Sequence, residues 1–155
     1  MKPGDKIPDL KGPSTTGNTR LRDFKGRFVV VYFYPKDNTP GCTREAQDFR
    51  DLAKRFAKAD AVLLGVSRDS LQSHERFQAK QDLNFALVSD ADETWCKAFD
   101  VIHDKVLYGR KFLGVVRSTF LIGPEGKLRR EWRNVKVPGH ALAVLDAIAA
   151  ESAPK

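Results

Sequence analysis

A chain of 155 residues, 41% apolar and 30% charged, is long enough for a single domain with a sizeable core and has an ordinary globular composition. No apolar run approaches the ~20 residues that cross a bilayer, no apolar core follows the N-terminal Met1-Lys2-Pro3-Gly4-Asp5-Lys6, and two cysteines are too few for a disulfide framework. The net charge of +7 is spread along the chain, and its denser patch at Lys127, Arg129, Arg130, Arg133 and Lys136 has no zinc-finger, RNA-binding or polybasic-tail signature, so it reads as a solvated basic surface.

These features predict one domain over residues 1–155, with no membrane or nucleic-acid partner, in the cytoplasm. Pro13 to Thr19 is turn-rich and predicts a hairpin-like entry. Phe28 to Tyr34 is continuously apolar, β-branched and aromatic, the pattern of a strand buried on both faces. Thr43 to Ala57 reads as a helix, with Ala46, Phe49, Leu52, Ala53 and Phe56 along one face. Ala61 to Ser67 is a second buried strand. Ser70 to Gln81 is a helix with Leu71 and Phe77 inward, and Phe85 to Val88 a short strand. Asp90-Ala91-Asp92-Glu93 opens a further helix with acidic residues in its first turn. Arg117 to Ile122 and Lys127 to Arg133 flank Gly123-Pro124-Glu125-Gly126 as a hairpin. His140 to Ala150 is a closing amphipathic helix. Crossover helices demand parallel strands and the late hairpin adds antiparallel ones. The expected fold class is α/β: a mixed central sheet flanked by helices, as in thioredoxin-like proteins.

The most informative stretch is Tyr34-Pro35-Lys36-Asp37-Asn38-Thr39-Pro40-Gly41-Cys42-Thr43. It runs from the first buried strand into the first long helix. A thiol at a strand-to-helix turn, near a helix N-terminus, meets free backbone N–H groups and the positive end of the helix dipole. Both favour the thiolate, the nucleophilic form of cysteine. A Pro- and Gly-flanked loop is a poor place for a structural thiol, so Cys42 is the candidate nucleophile.

Together the elements and this loop resemble the peroxiredoxins, and most closely their bacterioferritin-comigratory-protein (PrxQ) subgroup. The family pattern of Pro, three residues, Thr or Ser, two residues and Cys is matched by Pro35, Thr39 and Cys42. Arg117-Ser118-Thr119-Phe120-Leu121-Ile122 matches the family's second segment, and the resemblance spans about residues 3 to 150. It implies a thiol-dependent peroxidase acting on hydrogen peroxide and organic hydroperoxides without cofactor or metal. Cys42 would be the peroxidatic cysteine and pass through a sulfenic acid. Thr39 would hydrogen-bond the thiolate and peroxide, Arg117 would sit beside the sulfur, and Pro35 would shield the pocket from water. Glu45 would join the pocket network; alone, it reads as a helix-surface carboxylate. His74, His103 and His140 lack ligand spacing and receive no role.

The chain departs from the subgroup where resolution is concerned. The position five after Cys42, often a resolving cysteine, is Gln47, and Ser70 to Gln81 holds none. Cys96, in Trp95-Cys96-Lys97-Ala98-Phe99, reads as a small buried hydrophobe beside aromatics, with a resolving thiol as the alternative. The expectation is a one-cysteine enzyme reduced by thioredoxin, glutaredoxin with glutathione, or another thiol, as a monomer or homodimer. Val106-Leu107-Tyr108 and Phe112-Leu113 fit a pocket flank favouring organic substrates, core, or a dimer contact. A thiol-disulfide oxidoreductase would need a second thiol close by, but Glu45 stands three after Cys42. A non-enzymatic binding module using the basic surface is the rival from another class.

Overall fold

The strand Phe28–Phe33 (β3) occupies the middle of the molecule because all six of its side chains are buried. Such a strand needs apolar layers on both faces, and alternation supplies them. Val30, Tyr32 and Tyr34 point into one core, while Val29, Val31 and Phe33 point into the other. Around β3 the computed structural model, which describes residues 1–152, builds a seven-stranded mixed sheet. The last three residues of the expected 1–155 domain lie outside the described residues.

The entry hairpin joins β1 (Lys11–Ser14) to β2 (Gly17–Arg20), and a 3₁₀ turn follows over Leu21–Phe24. After β3 come α1 (Pro40–Lys58), β4 (Ala61–Ser67), α2 (Leu71–Gln81), β5 (Ala86–Ser89) and α3 (Thr94–Ala98). Then follow β6 (Ile102–Leu107), β7 (Arg110–Val115), β8 (Ser118–Ile122), β9 (Leu128–Trp132) and α4 (His140–Ser152). The strand order is β2-β1-β5-β4-β3-β8-β9. β3–β4 and β4–β5 are parallel, crossed over by α1 and α2, while β8 and β9 add antiparallel strands. This is the expected thioredoxin-like arrangement.

One core layer packs Phe49 and Phe56 of α1, Phe77 of α2, and Val144, Leu145 and Ile148 of α4 against Tyr32 and its neighbours. Tyr32 stacks on Phe49 with ring centroids 4.6 Å apart. The opposite layer gathers Trp95, Cys96 and Phe99 of the α3 region with Phe33, Val66 and Phe120.

Four local readings need correction. Helix α1 starts at Pro40, three residues before the expected Thr43, so Cys42 lies inside its first turn. In α2 the inward residues are His74 and Phe77, whereas Leu71 is half-buried. The acidic run before α3 caps the helix from outside: Asp90 accepts from the N–H groups of Trp95 (2.9 Å) and Cys96 (2.8 Å), and Asp92 from that of Thr94 (3.1 Å). The fourth is the β6–β7 hairpin, absent from the sequence reading. Its strands mix charged and apolar residues without strict alternation, and its turn, Tyr108-Gly109, takes positive φ at both residues (51° and 76°). That two-residue geometry is a common hairpin device, but its usual sequence signal is Asn-Gly or Asp-Gly.

Gly65, in β4, is required by packing rather than by backbone conformation. A Cβ there would stand 2.8 Å from Leu87 Cδ2 and 2.9 Å from the Tyr32 hydroxyl. Gly65→Ala is expected to lower unfolding stability by about 1–3 kcal/mol through overpacking, read as a shift of the urea midpoint. An unchanged midpoint would refute this account of the packing.

Candidate active site

Helix α1 begins directly where the chain leaves β3. Thr39 is its extended N-cap (φ −88°, ψ 154°), Pro40 its first residue, and Thr43 N–H donates the first intrahelical bond to the Thr39 carbonyl at 2.8 Å. Proline suits that first position because its φ is preset and no N–H is needed there. Cys42 is the third helical residue, among the N–H groups without an intrahelical acceptor and at the positive end of the dipole.

Arg117 stands just ahead of β8, whose Ser118 pairs with Phe33 at the end of β3, and its carbonyl accepts from Val135 N–H at 2.9 Å. Its guanidinium spans two buried side chains. Nη2 donates to Cys42 Sγ at 3.3 Å, and Nη1 donates to Glu45 Oε1 at 2.7 Å. Gly41 permits this approach, since a Cβ there would stand 3.1 Å from Nη2. Cys42 is 2% exposed and Glu45 1%. Glu45 is therefore no surface carboxylate: the residue one turn past the thiol is buried and paired with the arginine. Burial pushes its carboxyl up to about 7 against the pull of Arg117. Among the described residues, its second oxygen, Oε2, and the Tyr32 hydroxyl are the buried side-chain polar atoms without a partner.

The remaining expected residues lie close in the chain. Pro35 is half-buried in the loop between β3 and α1. The Thr39 hydroxyl, expected on the sulfur, donates instead to the Lys36 carbonyl at 2.8 Å. Its oxygen thereby keeps lone pairs free to accept a hydrogen. Cys96 stands apart. It is fully buried among Trp95 and Phe99 in the core layer opposite that of Cys42, so the sheet separates the two thiols, and both are free. Burial, and then the Asp90 carboxylate, push the Cys96 thiol well above its usual range.

Sequence reasoning missed three residues near this site. Lys105, on the unpredicted hairpin, is lowered by burial and then by Arg117, while Cys42 pulls the other way. His140 is pushed down to about 4 by burial and then by the Arg117 charge, so it faces the site as a neutral ring. It shares a hydrogen bond of 2.7 Å with Thr119. His74, assigned no role from ligand spacing, pairs with Asp37 of the Cys42 loop at 2.7 Å. The topology brings these together, and no local spacing signals it.

A buried thiol at a helix N-terminus, flanked by an arginine on a thioredoxin-like sheet, defines a class: proteins built for thiol chemistry. Comparison makes it specific. The AhpC/TSA family model matches residues 3–131. Peroxiredoxin Bcp of Xanthomonas campestris pv. campestris is 57% identical over 134 residues, covering 86% of this chain and 84% of that one. Peroxiredoxin Bcp of Bacillus subtilis is 48% identical over 146 residues, covering 94% and 93%. A solved structure of the Xanthomonas campestris bacterioferritin comigratory protein superposes with a TM-score of 0.90 at 50% identity, covering 96% of this chain and 100% of that one. The chain belongs to the AhpC/TSA family, among its peroxiredoxins of the Bcp/PrxQ group, and is a thiol-dependent peroxidase. Its substrates are peroxides and its reductant is a thiol. This activity stands over the binding-module alternative. No helix among the described residues is long and apolar enough to cross a membrane.

The Glu45 shift makes stability depend on pH. Its folded value of about 7 exceeds the reference of 4.5, so its contribution is full below about pH 4.5 and lost as pH rises through 7. Wild type is therefore expected to lose stability relative to Glu45→Gln between pH 5 and pH 8 in urea unfolding. Asp90, also raised by burial, is common to both proteins and cancels in the difference. A pH-independent difference would rule this out.

Proposed function

We propose that Cys42 is the peroxidatic nucleophile and that its sulfenic acid is resolved by an external thiol. The observation that carries this reading is the Arg117 guanidinium held 3.3 Å from Cys42 Sγ at the N-terminus of α1. In the reaction the thiolate attacks one peroxide oxygen, an S–O bond forms and the O–O bond breaks. The sulfur is oxidised to sulfenic acid, and the other oxygen leaves as hydroxide or alkoxide and takes up a proton. Negative charge moves from sulfur onto the leaving oxygen. Arg117 and the helix N-terminus are fixed beside that path and need no reorganisation as the charge shifts. Thr39, its hydrogen committed to Lys36, offers a lone pair to a peroxide O–H. Pro35 limits water at the pocket. Glu45 holds Arg117 in place and shares its charge with the sulfur.

The sheet between Cys42 and Cys96 supports the one-cysteine form over the two-cysteine alternative, since a disulfide needs Cα atoms within about 7 Å. A free thiol attacks the sulfenic sulfur and releases water. A second thiol then exchanges with the mixed disulfide and restores Cys42. Thioredoxin, glutaredoxin with glutathione, or a small thiol serves as donor, in the cytoplasm, to a single 1–155 domain acting as monomer or homodimer without nucleic acid or membrane. Hydrogen peroxide and organic hydroperoxides are the substrates. The Xanthomonas campestris relative is described with alkyl peroxide reduction activity. Val106, Leu107, Tyr108, Phe112 and Leu113 of the β6–β7 hairpin are exposed and so are not core; on this reading they form an apolar flank for organic substrates, with a dimer contact as the alternative.

Cys42→Ser is expected to abolish peroxide consumption, and Arg117→Ala to lower it about 10²- to 10³-fold, as for loss of an oxyanion donor. Cys96→Ser should retain turnover with thioredoxin or glutathione. Peptide mass spectrometry after one equivalent of hydrogen peroxide should find one trapped oxygen at Cys42 and a free Cys96. A Cys42–Cys96 disulfide would instead make Cys96 the resolving residue.

A further inference from the structure

The loop carrying Pro35 and Thr39 is tied to the fold through a buried polar cluster that the chemistry above does not use. Asp37, midway between those two residues, is 5% exposed, and two hydroxyl donors and an imidazole converge on its carboxylate. Tyr34 Oη donates to Oδ1 at 2.6 Å, and Ser73 Oγ donates to Oδ2 at 2.8 Å. His74 Nδ1 meets the same Oδ2 at 2.7 Å. The far side of the ring, His74 Nε2, lies 2.9 Å from the Val88 carbonyl. A carbonyl only accepts, so Nε2 carries a hydrogen; a second hydrogen lies between Nδ1 and Oδ2, whichever atom owns it. The main chain is held as well: Asp37 N–H donates to Asp69 Oδ2 at 3.0 Å, and Ser67 Oγ donates to the same oxygen. One loop residue is thus bolted to α2 and to the segment between β4 and α2, and through His74 to β5.

We infer that His74 is a positioning residue for the peroxidase site, acting through Asp37 to hold the loop Tyr34–Thr39 in its peroxide-accepting shape. The inference rests on the proposed role of Thr39. The loop has reason to need a clamp. Asn38, directly after Asp37, sits at φ 66°, a conformation that side chains other than glycine adopt at a cost. The Thr39 hydroxyl keeps its acceptor face free only while Lys36 offers its carbonyl at 2.8 Å, and that 36–39 turn contains Asp37. Releasing the carboxylate lets the turn relax and the hydroxyl rotate away. A buried polar pair is a poor device for stability alone, since apolar packing of equal volume does as well or better. Its worth lies in fixing one geometry. The Asp37, Asp69 and His74 ligand atoms gather within 4.8 Å, close enough for a cation, but a cation there would displace the Ser73 and His74 hydrogens from Oδ2.

The test compares two reactions of Cys42. Iodoacetamide alkylation reads the thiolate and needs no oriented peroxide, whereas oxidation by hydrogen peroxide needs both. His74→Ala is expected to slow oxidation about tenfold or more, as misplacement of an orienting group does, while alkylation changes less than about threefold. His74→Gln, which keeps one donor toward Asp37, should recover part of the loss. Ser73→Ala removes one donor at the surface end of the cluster and leaves little cavity, so it serves if His74→Ala does not fold; an oxidation loss of about threefold is expected. Both rates are measured below each variant's melting midpoint. Unchanged oxidation in folded His74→Gln and Ser73→Ala would make the cluster purely structural and overturn the inference. A parallel fall in both rates would also overturn it, placing the effect on the sulfur. Failure of wild-type Cys42 to react with peroxide would strike the peroxidase reading itself, a separate result.

Discussion

The structure is organised around one guanidinium placed between two buried acids. Arg117 touches a thiol and a carboxylate that are both almost inaccessible to water. Removing any member would leave charge in a poorly solvated setting, and that is costly. The surrounding architecture follows from this arrangement. Cys42 and Glu45 must share one helix face, three residues apart, at a helix start. Gly41 leaves room for the guanidinium, which a Cβ would crowd at 3.1 Å. The strand that Arg117 precedes, β8, must lie antiparallel beside β3, so that its leading end meets the end of β3 from which α1 departs. Mixed strand direction in this sheet is thus what brings a residue 75 positions away onto the thiol.

The sheet also divides the chemistry. Because neighbouring residues of β3 face opposite layers, the protein has two cores with separate tasks. The layer containing Cys42 is lined by α1, α2 and α4 and admits polar groups: Glu45, the Tyr32 hydroxyl, His74 and His140. The layer containing Cys96 is almost wholly apolar, and its principal polar anchor is Asp90, which caps α3. Two thiols in one chain thereby acquire different characters. One sits beside a cation, and the other is held in its neutral form by burial.

Charge around the site is graded by burial rather than by pairing alone. Glu45 is raised into the neutral range even though an arginine donates to it, because desolvation outweighs the ion pair. His140 stays neutral for the mirror-image reason: burial and a nearby positive charge act in the same direction. Arg117 consequently remains the dominant cation facing the sulfur, and its charge also lowers the pKa of Lys105 on the hairpin. The loop that completes the pocket is held by a polar cluster of its own, built on Asp37.

Much of this was legible locally. The seven-residue apolar run announced β3, helical spacing announced α1 and α2, and the Pro35–Thr39–Cys42 spacing singled out the thiol. These signals depend on neighbours within a turn or two, so linear order carries them. The helix start at Pro40 was masked because proline reads as a breaker, although it suits the first helical position. The β6–β7 hairpin was illegible because its Tyr-Gly turn is an unusual carrier of positive φ and its strands are too exposed to alternate. By itself the sequence determined the class of fold, the candidate nucleophile and the lack of a second cysteine close to it in the chain. Only the tertiary structure decided that Glu45 is buried, that His74 grips Asp37, and that the two cysteines face opposite layers. Those facts depend on which residues meet across the sheet and between helices, and burial and charge act through such meetings rather than through position in the chain.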